Sequence, residues 1–508
     1  MQKPFLVGID VGTSSAKVAL IDVGGKTLAT ASRDHPTYSP KPGYQEQDAD
    51  DWWRGACECI LEILDKTRID PTDVAGLSLS GQGCACLPVN AAGEPLTRAF
   101  IWTDARASRQ KKHIRQIFGR DLGPLLGNDI YDQPEPRMMW LRDNAPDIYT
   151  RTACFLSTVS YLMFRLTGEF GANTSDWGFH LAFDRTHKDW NQDFLMGVGL
   201  TSEKFPSLYT PHQIAGNVTP KSAAECGLIA GTPVVAGGQD STVSALTVGS
   251  LEKGQSVFMR GTTDLLSICR EHPEYHPDLY TTCAVLPGLY MSYDMKNVIA
   301  SGGAYRWLAK MLFDKMDHDQ YEEMNRLAAS SPVGSNGLVF LPYMLMTTTP
   351  DPDQERAGIF FGLSIDTKRE DLCRAVMEGT VFALHETIER MTQARVDVNE
   401  LRSTGGPTRS CLWNQITANV TGLPVILPAV SGGAAYGAAY GAALLAGLGV
   451  GVFPMDDGFK ELQQAIIQCE RFEPEAKLRP DYDHIYSTFL ELVRSSSGIS
   501  ARMRPKPV

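Results

Sequence analysis

Hydrophobic runs separated by a short polar turn open the chain and predict a buried β-hairpin. The first run, 5–9, ends on the carboxylate of Asp10, and the second run, 18–21, follows a turn of Gly12 and three hydroxyl residues. Uninterrupted apolar runs of this length between turn residues are typical of buried strands. We therefore expect two antiparallel strands whose tip carries hydroxyl groups, with an acid beside it.

The pattern changes to helical spacing after this hairpin and then alternates with further strands. Apolar residues recur three and four positions apart over 48–66, behind an acidic first turn, which predicts a helix. Strands are expected over 74–80, 99–102 and 231–236, and polar residues follow each of them directly. Alternating strands and helices are typical of α/β proteins, in which ligands bind beyond the ends of the strands.

The hairpin pattern returns near the middle of the chain. A strand, a turn and a second strand surround Gly261, Thr262 and Thr263. A duplicated domain with one such hairpin in each half explains the repeat. Because no low-complexity linker separates the halves, the boundary is expected within a crossing segment, which gives domains at 1–248 and 249–508.

The first turn has the composition of a phosphate site. Glycine lets backbone N–H groups approach an anion, and hydroxyl and lysine side chains donate to phosphate oxygens. The turn contains Gly12, Thr13 and Ser14 with Lys17 close behind, and Asp10 ahead of it can hold a metal ion. The alternative is an ordinary hairpin with a polar turn, since short glycine motifs recur by chance.

Composition narrows the classes of function. A chain of 508 residues with 43% hydrophobic and 21% charged residues predicts a folded protein of two or more domains. The net charge of −12 argues against nucleic acid or an anionic membrane as the main partner. Eleven cysteines without C-x-x-C spacing argue against a zinc site and suit a reducing compartment.

Two features bear on location. The chain enters a strand at once, without a basic or apolar leader, so a cytoplasmic protein is expected. The uncharged stretch 422–453 is rich in Gly, Ala and Pro, whereas membrane spans are richer in Leu, Ile and Phe. We therefore predict a tightly packed buried segment there, in which Gly437 and Gly441 serve helix packing, and no membrane contact.

Several ordered motifs resemble the FGGY family of carbohydrate kinases, and within it the xylulokinases. The resemblance runs from residue 5 to about residue 448, and its most specific block is 358–363 followed by 371–378. Further motifs that match are Glu46-Gln47-Asp48 with Trp52-Trp53, Trp102-x-Asp104-x-Arg106, the run 340–343 and Gly405-Gly406.

The resemblance implies the fold of actin, Hsp70 and hexokinase, which has two ribonuclease-H-like α/β domains with ATP in the cleft between them. It implies that Asp240 is the catalytic base, which takes the proton from the attacking sugar hydroxyl. It also implies that Asp10 positions Mg²⁺ through water. The alternatives are a turn or helix-cap aspartate at Asp240 and a polar strand end at Asp10.

The resemblance also implies the nucleotide contacts. Two phosphate loops would hold the β- and γ-phosphates, and a glycine pair would let the backbone pass the adenosine. For the glycine pair the alternative is a plain turn before a helix. The residues proposed to bind ATP, with Lys17 added from the chemistry of the first turn, are Gly12, Thr13, Ser14, Lys17, Gly261, Thr262, Thr263, Gly405 and Gly406.

The expected sugar site departs from the xylulokinase pattern. Xylulokinases usually have Gln-Met-His-Gly where this chain has 82–85, asparagine where it has Ser241, and another loop at 345–350. Cys84 is interpreted as a wall of the pocket, since no histidine stands near it in sequence. Trp102 and Asp104 could equally be a core tryptophan and a helix cap. The candidate substrate residues are Gln82, Gly83, Cys84, Trp102, Asp104, Asp240 and Ser241.

The resemblance therefore implies an ATP- and Mg²⁺-dependent kinase that phosphorylates a primary hydroxyl of a ketopentose, with D-xylulose as the first candidate. The alternatives are a kinase for ribulose, gluconate, glycerol or a similar polyol, a catalytically silent sugar sensor, and an actin- or Hsp70-like ATP-driven binding protein. The expected partner is a small sugar or polyol, not nucleic acid, and a homodimer is compatible with the sequence.

Overall fold

The structure is a computed structural model, and the chain divides into two compact units that are discontinuous in sequence. The predicted division at residues 248 and 249 stays a prediction. The residues that the structure describes are 3–119, 122–294, 299–313, 318–344, 356–428, 437–456, 459 and 469–503. The first unit comprises Met1–Lys253, Cys269–Ser292 and Val430–Gln468, and the second comprises Gly254–Ile268, Tyr293–Ala429 and Cys469–Val508.

Strands and helices mix along the whole chain, as the α/β pattern predicted. The described strands are Phe5–Val11 (β1), Ser15–Asp22 (β2), Thr27–Asp34 (β3), Glu46–Gln47 (β4), Val74–Gly81 (β5), Leu87–Val89 (β6), Ala99–Phe100 (β7), Cys154–Leu156 (β8), Gly171–Asn173 (β9), Phe183–Asp184 (β10), Asp189–Trp190 (β11), Ser207–Tyr209 (β12), Ile214–Asn217 (β13), Pro233–Gln239 (β14), Ser256–Arg260 (β15), Thr263–Arg270 (β16), Leu279–Cys283 (β17), Tyr290–Asp294 (β18), Ile299–Ala300 (β19), Val339–Pro342 (β20), Gly358–Phe361 (β21), Leu401–Gly405 (β22), Val425–Pro428 (β23) and Cys469–Phe472 (β24). The described α-helices are Ala49–Thr67 (α1), Ser108–Phe118 (α2), Leu122–Leu126 (α3), Glu135–Asn144 (α4), Pro146–Arg151 (α5), Thr158–Thr167 (α6), Gln192–Val198 (α7), Pro220–Cys226 (α8), Asp240–Val248 (α9), Gly302–Leu312 (α10), His318–Ser330 (α11), Arg369–Gln393 (α12), Cys411–Thr421 (α13), Gly437–Gly449 (α14) and Arg479–Met503 (α15).

The first unit contains a six-stranded sheet with the order β13-β14-β5-β1-β2-β3. Strands β14, β5 and β1 are parallel, so their carboxyl ends meet at one edge. In that register Gly81, the last residue of β5, pairs with Val11 on one side and with Gln239 on the other. This edge therefore brings together Asp10, the loop after β5 and Asp240.

The predicted opening hairpin is confirmed. Strands β1 and β2 pair antiparallel with Asp10 opposite Lys17, and the N–H of Gly12 donates to the carbonyl of Ser15 at 3.1 Å. The apolar residues of both strands are buried in the core of the first unit, because α1 packs on the sheet from one side. The tip of the hairpin is consequently held at the same edge as the acids.

Helix α14 packs closely against β1, as predicted for this Ala/Gly-rich segment. A Cβ atom on Gly8 would lie 1.9 Å from the carbonyl oxygen of Ala439, and one on Gly441 would lie 2.4 Å from that of Val243. Small residues on both elements therefore permit the approach, and the packing role of Gly441 is confirmed. Residues 429–436 lie outside the described part of the chain. None of the described helices combines the length and apolarity needed to cross a membrane.

The strand predicted over 99–102 is shorter than expected. Only Ala99–Phe100 is extended, because the N–H of Asp104 donates to the carbonyl of Ile101 at 2.9 Å and closes a turn. Trp102 therefore lies in a turn, and not on a strand. The prediction that it belonged to the strand is wrong.

The second unit repeats the hairpin on its own sheet. Strands β16, β15, β22, β23 and β24 are neighbours in this order, and β15 pairs antiparallel with β16. The N–H of Gly261 donates to the carbonyl of Thr263 at 3.0 Å, as that of Gly12 does to Ser15. Strands β15 and β22 are parallel, with Arg260 opposite Gly405, so the hairpin tip and the glycine pair share one edge.

Candidate active site

Asp10 is a buried acid at the sheet edge, with 5% of its surface exposed. Its Oδ1 accepts a hydrogen bond from Ser80 Oγ at 3.0 Å. Burial raises the pKa of Asp10, while the charge of Lys17 and the bond from Ser80 act in the opposite direction. A buried acid with one hydrogen bond and one nearby cation favours a site for a further positive charge over a plain polar strand end.

Asp240 is the first residue of α9, directly after β14. Its Oδ1 accepts from the N–H of Ser241 at 2.6 Å, and its Oδ2 has no hydrogen-bond partner within the described residues. Burial and then the negative charge of Asp10 raise the pKa of Asp240 to about 7. One oxygen thus serves the first helical turn, whereas the other is open and can take up a proton near neutral pH, as a general base must.

The tip of the first hairpin is open to a ligand. The nearest atom to a Cβ on Gly12 would be the carbonyl oxygen of Ser15 at 3.9 Å, so neither packing nor backbone conformation requires glycine there. Ser14 is exposed, and Thr13 and Lys17 are half-buried. Room beside donor groups is what an approaching phosphate needs.

Internal hydrogen bonds hold this tip in place. Trp102 Nε1 donates to Thr13 Oγ1 at 3.0 Å, and Gln47 Nε2 donates to the Thr13 carbonyl at 2.6 Å. Gln47 Oε1 also accepts from Gln82 Nε2 at 2.7 Å. The indole N–H of Trp102 is therefore engaged by the tip of the first hairpin, which sequence reasoning did not foresee.

The loop after β5 carries Gln82, Gly83 and Cys84. Gln82 is buried, and its N–H donates to the carbonyl of Val11 at 2.9 Å, which continues the β1–β5 pairing. Cys84 adopts φ +60°, its carbonyl accepts from Arg137 Nη2 at 2.5 Å, and burial raises the pKa of its thiol. A thiol that resists deprotonation fits a wall of the site better than a nucleophile.

Asp104 is fully engaged with the protein. Its Oδ1 accepts from the Arg106 N–H at 3.1 Å and Nε at 2.9 Å, and its Oδ2 accepts from Arg106 Nη2 at 2.8 Å and from the N–H of Gln45 at 2.7 Å. Arg106 also donates to Glu46 at 2.7 Å. The two carboxylate oxygens have about four acceptor positions, and all are used. This arrangement favours a structural ion pair over direct sugar binding by Asp104.

In the second unit, paired glycines support the repeated hairpin. The N–H of Gly302 donates to the carbonyl of Gly261, and that of Gly303 donates to the carbonyl of Thr262, both at 3.0 Å. A Cβ on Gly302 would lie 2.4 Å from the Gly261 oxygen, so the start of α10 can approach only because it lacks side chains. Sequence reasoning missed Gly302 and Gly303, although two adjacent glycines one residue beyond the short apolar pair Ile299-Ala300 were a usable signal.

Gly405 and Gly406 serve different purposes. Gly405 has φ +113°, and a Cβ on it would lie 1.7 Å from the carbonyl oxygen of Arg260. Apart from its chain neighbours, no atom of the described residues lies within 4 Å of the position that a Cβ on Gly406 would take. The fold therefore requires Gly405, whereas only Gly406 has open space in which a ligand could pass.

A buried charged pair below the second hairpin was also missed. Arg260 and Asp264 face each other across the strands, with Nε and Oδ2 3.9 Å apart. The guanidinium lies 4.7 Å from the ring centroid of Trp413. Burial raises the pKa of Asp264 to about 6, and Arg260 acts against this rise. Charged residues at both ends of the short Gly-Thr-Thr turn were the available sequence signal.

Another buried acid lies in the first unit near Asp240. Asp176 is fully buried, its Oδ2 accepts from Ser157 Oγ, and burial raises its pKa to about 7. Its negative charge contributes to the raised pKa of Asp240. Nothing in the local sequence singled out Asp176, because its effect depends on tertiary placement.

The donor chemistry around Asp10 and Asp240 suits a hard divalent cation. Both are carboxylates, and the charge of Asp10 raises the pKa of Asp240, so a cation would stabilise both charged forms. No group of three or more His, Cys, Asp or Glu side chains able to hold a metal occurs in the described part of the chain. One or two carboxylates with phosphate oxygens is a usual arrangement for Mg²⁺. The loop at 345–350, where the sequence departs from the xylulokinase pattern, lies outside the described residues.

Comparison with known proteins gives two family matches and similar relatives. The N-terminal domain model of the FGGY family of carbohydrate kinases matches residues 5–247, and the C-terminal domain model matches residues 259–446. A xylulose kinase of Staphylococcus epidermidis is 30% identical over 509 residues, which cover 99% of both chains. An autoinducer-2 kinase of Klebsiella pneumoniae is 26% identical and covers 97% of this chain and 94% of its own.

A solved structure of a related protein has the same fold as this chain. The xylulose kinase of Rhodospirillum rubrum superposes with a TM-score of 0.85 at 26% identity, over 98% of this chain and 99% of that one. The agreement confirms the predicted fold class of actin- and hexokinase-like α/β proteins.

Proposed function

The chain belongs to the FGGY family of carbohydrate kinases, and from this premise we propose that it transfers the γ-phosphoryl group of ATP to a primary hydroxyl of a ketopentose, with D-xylulose as the first candidate. Membership makes it a phosphotransferase with an alcohol acceptor. The observation that carries the proposal is the open Oδ2 of Asp240, on a carboxyl whose pKa is about 7, beside a second buried acid.

The proposed step assigns each proton and bond. Asp240 accepts the proton of the sugar hydroxyl while the hydroxyl oxygen bonds to the γ-phosphorus, and the bond from phosphorus to the β–γ bridging oxygen breaks to release ADP. Because the open Oδ2 lies at the ends of the parallel strands, the β1–β5–β14 register fixes its position. Gly12, Thr13, Ser14 and Lys17 in the first unit, and Gly261, Thr262 and Thr263 in the second, are proposed to bind phosphate oxygens.

Kinases of this family use ATP with a divalent metal, and we propose Mg²⁺ for this chain. Asp10 would hold the ion through water, and the ion when bound would offset the charge of the phosphates. Ser80 keeps the Asp10 carboxylate in one orientation through its 3.0 Å hydrogen bond.

The identity of the phosphoryl acceptor can be tested with a panel of compounds. The panel contains D- and L-xylulose, D- and L-ribulose, gluconate and glycerol. We expect ADP release with D-xylulose to exceed the rate without sugar by at least about 100-fold, since a true acceptor supplies the positioned hydroxyl. A coupled ADP assay measures it. A larger rate with gluconate or glycerol would replace the ketopentose, and tight sugar binding without turnover would indicate a silent sensor.

Asp10→Asn tests the metal site. The amide lacks the negative charge, so the Mg²⁺ concentration at half-maximal rate should rise about 10-fold or more and kcat should fall. A metal titration of the steady-state rate measures both. Asp34→Asn is the matched control, because Asp34 is an exposed strand-end acid on the same sheet. An unchanged titration for Asp10→Asn would contradict the metal role.

A further inference from the structure

We propose that the side-chain amide of Gln239 binds a hydroxyl of the sugar and decides which stereoisomer is accepted, in the space that Gly83 leaves free. This inference rests on the proposed kinase function and deepens it. It concerns a residue outside the motifs predicted to bind sugar, and two of the predicted residues, Gly83 and Ser241, derive their role from it.

The side chain of Gln239 occupies the place where a side chain on residue 83 would be. A Cβ on Gly83 would lie 2.5 Å from Gln239 Nε2, 3.0 Å from its Cδ and 3.1 Å from its Cγ. The backbone of Gly83 does not have positive φ, so conformation does not demand glycine there. Its lack of a side chain is therefore explained by the amide beside it.

Ser241 fixes the orientation of this amide. Its Oγ donates to Gln239 Oε1 at 2.9 Å, and Ser241 itself is buried on the first turn of α9. Because Oε1 of the amide is hydrogen-bonded to Ser241, Nε2 is the atom of this amide that can donate to a ligand. Two of the positions at which the sugar-side motifs depart from the xylulokinase pattern, 83 and 241, thus lie against Gln239.

Most other side-chain donors predicted for the sugar site are already used inside the protein. Gln82 Nε2 donates to Gln47, and Trp102 Nε1 donates to Thr13. Gln239 is half-buried, and within the described residues its Nε2 has no hydrogen-bond partner. It is also the residue directly before Asp240. The geometry leaves this N–H group as the open donor nearest in sequence to the base.

A hydrogen-bond donor fixed in this way can distinguish between epimers of the sugar. In one epimer a hydroxyl near the reacting end of the sugar can accept from Nε2, whereas in the other the donor stays unpaired in a half-buried position. Sites built to hydrogen-bond a hydroxyl discriminate strongly against substrates that cannot offer it. Discrimination between epimers should therefore depend on the position of the Gln239 amide.

Two variants test the inference against one control. Gly83→Ala displaces only the end of a flexible side chain, and Gln239→Leu removes the amide at similar volume. We expect each to lower kcat/KM for the best sugar about 10-fold and for its epimers at C3 and C4 less than about threefold, with the KM for ATP unchanged. Ser244→Ala, which deletes a hydroxyl bonded to the backbone of the same helix at 2.7 Å, should change no sugar ratio.

The outcomes separate this inference from the proposed function. If the wild type uses a ketopentose but the variants leave the ratio between epimers unchanged, or lower all sugars equally, the role of Gln239 is refuted alone. If its best substrate is an aldonate or another polyol, the ketopentose proposal fails, and the same ratio with that compound and its epimer still decides the role of Gln239. If turnover is absent, the same ratios are taken from dissociation constants measured by calorimetry. If the protein binds none of the polyols, the proposed kinase function and the role of Gln239 are both refuted.

Discussion

Replacing Asp240 with asparagine should lower kcat by about three to four orders of magnitude, while the sugar dissociation constant stays within about threefold of the wild-type value. The amide cannot accept the hydroxyl proton, but it keeps the size of the side chain and a hydrogen bond to the N–H of Ser241. Single-turnover and steady-state ADP release measure the rate, and calorimetry measures the binding. A variant that retains more than about a tenth of kcat would remove Asp240 from the role of base.

The pH profile gives an independent check on the same residue. Because the pKa of Asp240 is about 7, kcat/KM of the wild type should rise about tenfold per pH unit below that value and level off above it. In Asp240→Asn the residual activity should lack this inflection, because the amide does not titrate in this range. An inflection that persists in the variant would show that another group sets the profile.

A measurement of thermal stability tests whether misfolding explains the lost activity of Asp240→Asn. An acid whose pKa is raised on folding, from about 4 to about 7, costs the folded state stability as the pH rises through that range. Asp240→Asn removes this cost. The variant should therefore unfold at a higher temperature than the wild type at pH 8, and the difference should disappear near pH 4.

Much of the site could be predicted from the sequence because its parts are local. Both hairpins follow from apolar runs on either side of a short turn, and the antiparallel register of such a pair is set by the turn itself. Asp10 and Lys17 face each other for this reason alone. Which residues lie at each tip could therefore be predicted from fewer than twenty consecutive residues.

The parts that escaped prediction depend on parallel pairing over long separations. Gln239 meets Gly83 because β5 and β14 pair in parallel, and no local turn fixes that register. The acid at position 176 acts on Asp240 through tertiary placement in the same way. The position of Trp102 escaped prediction for a local reason. Its apolar neighbours have the pattern of a strand, but the hydrogen bond from the N–H of Asp104 to the carbonyl of Ile101 closes a turn there.

The two adjacent glycines at the end of β22, Gly405 and Gly406, should respond differently to the same substitution. In Gly405→Ala the new methyl would lie 1.7 Å from the Arg260 carbonyl oxygen, a backbone atom of the neighbouring strand, at φ +113°. Neither the strand nor the torsion angle can relax cheaply, so the loss of stability should exceed about 4 kcal/mol. We expect a large fall in the unfolding temperature, or insoluble protein.

Gly406→Ala should leave stability within about 0.5 kcal/mol of the wild type, because no atom of the described residues other than those of its chain neighbours lies within 4 Å of the new methyl. If the backbone of Gly406 passes the adenosine, the methyl fills that space and the KM for ATP should rise about 10-fold, with the sugar dissociation constant unchanged. Thermal unfolding and ATP titrations of both variants measure this. An unchanged KM for ATP would refute the nucleotide role of Gly406. The glycine pair would then be explained by the structural requirement for Gly405 alone.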